Sequence, residues 1–426
     1  MPKLSQVVSS DILLDALSAL FSGVAISGAN ATALTLANDS YAYVLTGTGL
    51  TFTEEDGVVT ELTGGSFTML TIKQIDGGAV VARLTGVIMQ VVALPDLDDP
   101  VSGQSLLAQL AALNWTVVGT TGDNEILLDA DSGFYSVNGV YLDLLAGNDT
   151  GRGGLGDDTV LGGLGDDLIE VSAGNDLLKG GAGNDLIQDS TDAGGNDDLR
   201  GDAGNDTLSA GAGNDSLRGD GGDDSLLGDT GNDVLRGGAG NDVGAGGAGN
   251  DSLSGDAGND TLDGGAGLDS IIGGGGNDSL AGGAAADVMT GGLGSDTLSG
   301  GLGADDLRGG GGNDLLAGDG GADTLFGDGG DDVLDGGAGA DKVNGGIGDD
   351  TTTGGGGADT FVFGNALGSD TITDFQIDLD TIQLSGSGFT INYADGDAVL
   401  TFANGELTVQ NVADGSLVIG DNILIA

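Results

Sequence analysis

Apolar residues Leu13, Leu14, Leu17, Leu20 and Phe21 fall on one face of a helix that Ser9 or Ser10 caps and that ends before Gly23. A second helix is predicted from Ser102 to Leu113, with Leu106, Leu107, Leu110 and Leu113 inward. Between them the pattern turns to β-rich runs at Tyr41-Ala42-Tyr43-Val44-Leu45, Ser66 to Ile75 and Val87 to Ala93, with turns at Asp56-Gly57 and Asp76-Gly77-Gly78. Residues 1–142 therefore read as a small α+β unit. Strand-forming runs return over 361–426, where Val399–Phe402 and Leu407–Val409 flank a two-residue hairpin turn at Asn404-Gly405.

Between these ends, over 143–360, the apolar positions become sparse and periodic. An aspartate returns every nine residues at Asp149, Asp158, Asp167, Asp176 and Asp185. After one step of twelve it continues as Asp197, Asp206, Asp215, Asp224, Asp233, Asp242, Asp251, Asp260, Asp269, Asp278, Asp287, Asp296, Asp305, Asp314, Asp323, Asp332, Asp341, Asp350 and Asp359. An aliphatic residue stands two places after nearly every one, as in Val160, Ile169, Leu178, Ile187, Leu199 and Leu208. The rule is Gly-Gly-x-Gly-x-Asp-x-aliphatic-x, and Gly119 to Asn124 with Ile126 reads as a degenerate first copy. A fixed period of this kind signals a repeat architecture in which each unit packs only on its neighbours.

Composition narrows the chemistry. The chain has 426 residues, 90 of them glycine, with 67 acidic and 10 basic side chains and a formal charge of −57. Three prolines and no Gly-X-Y period exclude collagen, and an apolar fraction of 38% excludes a simple acidic disordered tail. So acidic a surface repels phosphates, which argues against nucleic acid and anionic membranes and for divalent cations. With no cysteine and no histidine, disulfides, thiol catalysis, imidazole triads and most zinc and copper sites are excluded. No apolar run is long enough to span a bilayer. Lys3 alone, with Asp11 and Asp15 interrupting the apolar stretch, makes a poor secretory leader.

The repeat resembles the RTX, or hemolysin-type calcium-binding, family, and the resemblance covers about half of the chain. It implies a mainly β fold: a parallel β-roll with six residues in each turn, three in each short strand, and two repeats per coil. Calcium would lie between turns of successive coils, with the twenty-four repeat aspartates as metal ligands and about 20 ions bound. The segment after 360, with Phe361-Val362-Phe363, Ser369 to Phe375, Asp380 to Ser385 and the ending Asp421-Asn422-Ile423-Leu424-Ile425-Ala426, is similar to the closing segment of RTX proteins exported by type I secretion machinery. The expected division is therefore an N-terminal unit at 1–142, a roll at 143–360 and a C-terminal β cap at 361–426.

Elementary chemistry agrees with this picture. Glycines at positions one, two and four supply positive φ and let carbonyls approach an ion, and the aspartate adds a hard charged oxygen. One buried aliphatic residue per nine ordered residues is too little apolar burial to offset the backbone entropy, so metal should drive folding. Departures carry their own expectations. The three extra residues within Gln188 to Asn196 should bulge and interrupt a calcium column. Val171-Ser172 in the repeat of Asp176, and Ala285 in that of Asp287, should weaken or empty their sites. Gly244 and Thr352 replace inward aliphatic residues and should leave thin spots in the core, while Arg200, Arg218 and Arg236 should align on one outer face.

No Gly-x-Ser-x-Gly elbow and no His-Glu-x-x-His occurs. Glu54, Glu55, Asp56 and Glu61 cluster on one predicted turn rather than opposing each other across a cleft. The sequence thus points away from an enzyme and towards a secreted, calcium-folded structural protein that self-associates in a surface layer, filament or matrix. An adhesin or secreted effector is the alternative, and a carbohydrate-active enzyme a weaker one.

Overall fold

The computed structural model describes the strands lying between residues 33 and 127, and residues 139–189, 194–364, 368–384, 389–394, 396–412, 417 and 423–425. Both helices expected near the N-terminus lie outside the described residues. The chain divides into two compact units, residues 1–213 and 214–426.

In the first unit, strands Ala33–Ala37, Tyr41–Glu55, Val58–Gln74 and Val80–Thr85 form an antiparallel meander. A parallel two-sheet roll follows. One sheet stacks Trp115–Val118, Val140–Asp143, Thr159–Leu164, Leu177–Ala182 and Asp198–Ala203. The other stacks Glu125–Leu127, Thr150–Arg152, Leu168–Val171, Leu186–Asp189 and Thr207–Ser209. The first coil thus includes the degenerate repeat, with Ile126 fully buried opposite Gly151. Rung partners are eighteen residues apart, as in Thr159 with Leu177, because two nonapeptides complete one coil.

The second unit continues the rule. Its sheets advance in steps of eighteen from Ser216–Gly221 to Thr360–Phe363 and from Ser225–Thr230 to Thr351–Thr353. The chain after 360 adds rungs to the same sheets: Ser369–Ile372 and Gly405–Val409 on one, Thr381–Leu384 and Ile423–Ile425 on the other. The expected hairpin is present one residue earlier than read, since Phe402 pairs with Gly405 and the turn is Ala403-Asn404.

Alternation explains how so glycine-rich a chain keeps a core. The residue after each aspartate points out and the aliphatic residue after that points in, so Leu235, Leu253, Ile271, Met289, Leu307, Leu325 and Val343 stack as one buried file. The expected thin spot at Gly244 is filled: a Cβ there would lie 2.9 Å from Leu262 Cδ2, because the leucine one rung on leans into the gap. Thr352, fully buried, spends its hydroxyl on the Thr371 carbonyl at 3.3 Å.

Candidate metal centre

Each turn carries its aspartate from one sheet to the other, and the eighteen-residue rung spacing stacks these aspartates in two columns. In the first unit one column holds Asp149, Asp167, Asp185 and Asp206, the other Asp158, Asp176 and Asp197. In the second unit the same alternation runs from Asp215 and Asp224 to Asp359 and Asp350. All twenty-four are at most 3% exposed. Within each unit the N–H of one aspartate donates to Oδ1 of the next up the column, at 2.8 Å for Asp242 to Asp260 and 3.0 Å for Asp341 to Asp359.

The second carboxylate oxygen behaves differently. In Asp167, Asp176, Asp185, Asp233, Asp242, Asp251 and every later repeat aspartate to Asp359, buried Oδ2 meets no hydrogen-bond donor among the described residues. It faces the first glycine of its own repeat. A Cβ on Gly264 would lie 2.6 Å from Asp269 Oδ2 and 2.8 Å from the carbonyl oxygen of Gly282, one rung on. At Gly300 the corresponding distances are 2.6 Å to Asp305 Oδ2 and 2.9 Å to Gly318 O. The absent side chain thus leaves a cradle walled by a carboxylate oxygen and a backbone carbonyl.

Stacked carboxylates without donors are unstable as bare anions. Burial pushes Asp167 and Asp332 up from 3.8 to about 7 and Asp176 to about 8; the N–H on Oδ1 opposes the shift, and aspartates on adjacent rungs add to it. Such a column needs positive charge. Its donors are all hard oxygens, and among the described residues no three carboxylates converge, so a bound ion would complete its shell with backbone carbonyls. Calcium, with six to eight oxygens at about 2.3–2.6 Å and tolerant geometry, suits that set.

A family model described as the RTX calcium-binding nonapeptide repeat matches residues 143–188 and 192–361 in overlapping stretches, more than half of the chain. The chain belongs to the RTX calcium-binding repeat family. RTX repeats bind calcium, and RTX proteins are typically secreted and extracellular. Among the described residues no helix is long and apolar enough to cross a membrane. Solved structures similar to this chain include an extracellular lipase from Serratia marcescens, at 20% identity and a TM-score of 0.24 over 46% of this chain and 40% of the lipase. Another is a subunit of the mannuronan C5-epimerase of Azotobacter vinelandii, at 29% identity and a TM-score of 0.16 over 33% of this chain and 78% of that one. No curated protein matches the chain.

The RTX columns extend beyond the residues predicted for them. Asp350 N–H donates to Asp370 Oδ1 at 3.2 Å and Asp359 N–H to Asp380 Oδ1 at 3.0 Å, and both newcomers are buried. Their spacings of 20 and 21 break the nine-residue count. The signal that marks them is the retained offset to an inward aliphatic, Ile372 after Asp370 and Ile382 after Asp380.

The aspartate ladder runs on across the insertion. Asp176 N–H reaches Asp197 Oδ1 at 2.7 Å and Asp185 N–H reaches Asp206 Oδ1 at 2.8 Å, each 21 residues on. Ala285 adopts the glycine conformation at φ 84°, and Asp287 keeps its ladder bond to Asp269 at 2.8 Å. Arg218 and Arg236 are rung partners, and Lys179 partners Arg200.

Proposed function

We propose that the protein is an extracellular structural component whose RTX turns are folded by calcium held on the repeat aspartates, and which then self-associates. The calcium reading rests on the donorless Oδ2 atoms aligned along the columns. The self-association reading rests on one edge of the second unit. The fifth motif position forms an outer ladder in the column that runs from Asn241 through Asn259 and Asn277 to Asp349, each side-chain oxygen accepting the N–H one rung on. In the other column that ladder ends where Leu268 N–H takes Asn250 Oδ1 at 2.8 Å. Thereafter the position is Ala286, Ala304, Ala322, Ala340 and Ala358, all exposed, with Leu302 beside them at 69% exposure.

On a chain of formal charge −57, a flat edge whose third and fifth motif positions bear no carboxylate is where two copies can approach without charge repulsion. Calcium then acts twice, by ordering the turns and by lowering the charge between copies. Sedimentation and electron microscopy with and without millimolar calcium test this. Assemblies should form only with calcium and should disperse in A304E/L302E, which keeps the calcium-dependent fold. Persistent wild-type monomers at high protein and calcium concentration would replace self-assembly with the adhesin or effector reading.

A further inference from the structure

The cradles are not uniform in the first unit: buried Leu144 stands at the first position of the Asp149 repeat, and the other column departs from glycine further. In the second unit every repeat from Gly219 to Gly354 begins with glycine, and so do Gly162, Gly180 and Gly201 beside Asp167, Asp185 and Asp206. In the column of Asp158, Asp176 and Asp197 the same position reads Gly153, Val171, Asp189 and then Ala210. Val171 and Asp189 are rung partners. All three side chains are buried, at 4%, 4% and 0% exposure.

Their surroundings show protein atoms standing where an ion would need room. A Cβ on Gly153 would meet Val171 Cγ1 at 3.0 Å, whereas at Gly264, Gly282 and Gly300 the atom from the next rung is a carbonyl oxygen. Asp158 Oδ2 accepts the Gly154 N–H at 2.7 Å, so the oxygen left without a donor in Asp176 and Asp167 is satisfied here. Ser172 Oγ donates to the Gly154 carbonyl, taking up an oxygen of the same turn. One rung on, the Asp189 side chain projects from the position that glycine leaves open elsewhere.

We propose that in the first unit calcium enters the column of Asp167, Asp185 and Asp206, and that the turn of Asp158 in the other column is a metal-free seam closed by Val171 and Ser172. This rests on the reading that the repeat aspartates hold calcium. The seam replaces ionic cross-links between coils by an isopropyl group and two hydrogen bonds, so its geometry does not depend on calcium supply.

Asp→Asn substitutions test the assignment, because asparagine keeps the Oδ1 acceptor of the ladder and removes the charge a calcium ligand needs. The full chain is folded at millimolar calcium, its β-structure is checked by circular dichroism, and bound calcium is counted by native mass spectrometry. D185N should lose one or two ions, and D158N should retain the wild-type number. V171G/S172G should gain at least one ion, which D158N in that background should remove. Equal losses in D158N and D185N would overturn the proposal, and so would no gain in V171G/S172G, a result that stands even if D158N fails to fold. If neither D185N nor D332N changes the count, the calcium reading of the aspartates itself is wrong.

Discussion

At the scale of single residues, the paired behaviour of the two carboxylate oxygens sets the pH response. Asp167 and Asp332 are pushed up to about 7 by burial, and Asp233, Asp260 and Asp296 to about 6, from 3.8. A raised acid pKa means that the metal-free fold binds more protons than the unfolded chain. Its contribution to stability is complete below about pH 4 and is lost as pH rises through 6 to 7. The chelated protein should therefore gain β-structure on acidification from pH 7.5 to 4.5 by circular dichroism. With calcium present the trend inverts, since protons compete for the same oxygens: the calcium concentration at half-folding should rise between pH 7 and pH 5. Glycines separate in the same way. Gly264→Ala places a Cβ against Asp269 Oδ2 and the Gly282 backbone, and should cost about 1–3 kcal/mol and a calcium ion. Gly275→Ala, whose nearest neighbour would be 4.0 Å away, should stay within about 0.5 kcal/mol in denaturant titration.

At the scale of the repeat, the left-handed positions reveal which substitutions the turn accepts. Asp202, Asp220, Asp229, Asp256 and Asp328 replace the second glycine with φ between 71° and 77°, a region that a short polar side chain enters at low cost. Several of these carboxylates meet cations from the neighbouring strand positions. Asp202 faces Lys179 at 2.7 Å and also Arg200, and Asp328 takes Arg308 Nη1 at 2.9 Å. Arg308 Cζ in turn lies 5.0 Å from the Phe326 ring centroid, with Lys342 Nζ at 5.7 Å on the next rung. These exposed pairs contribute little individually. Replacing Asp328 by valine should cost about 1–2 kcal/mol through backbone strain, while glycine there should be nearly neutral. Ala285, at φ 84° with no such polar side chain, should be improved by Ala285→Gly, by about 1 kcal/mol in calcium-saturated thermal unfolding.

At the scale of the whole molecule, charge and metal are coupled. A formal charge of −57 disfavours compaction until cations bind, so chelation should convert the β spectrum of the repeat region to coil, and calcium should restore it. Repeats that pack only on their neighbours should refold without a long-range nucleus. A β spectrum that survives excess chelator at pH 7.5 would contradict metal-driven folding. On the further proposal that the chain leaves the cell by type I secretion, an unfolded array in calcium-poor cytosol suits passage through the channel. Truncation after Thr360 should then keep the protein inside cells while removal of the first 30 residues leaves export intact, as assayed by the fraction found in the medium.

The nine-residue register by itself determined a repeat architecture with an inward aliphatic file, and the family resemblance it carries implied the parallel roll with its stacked aspartates. It could do so because each coil touches only the coils beside it, so a local period becomes a three-dimensional one without long-range information. Spacing alone did not reveal that Asp370 and Asp380 continue the columns, that the ladder crosses the insertion intact, or that Leu262 fills the gap at Gly244. Those outcomes depend on rung pairing, which is governed by backbone hydrogen bonds between facing strands and tolerates extra residues looped out of a turn. Tertiary structure likewise decided which carboxylate oxygens find a donor. Val171-Ser172 reads in sequence as a blemish in one repeat, and only the stacked coils show that its side chains close the turn of the coil before.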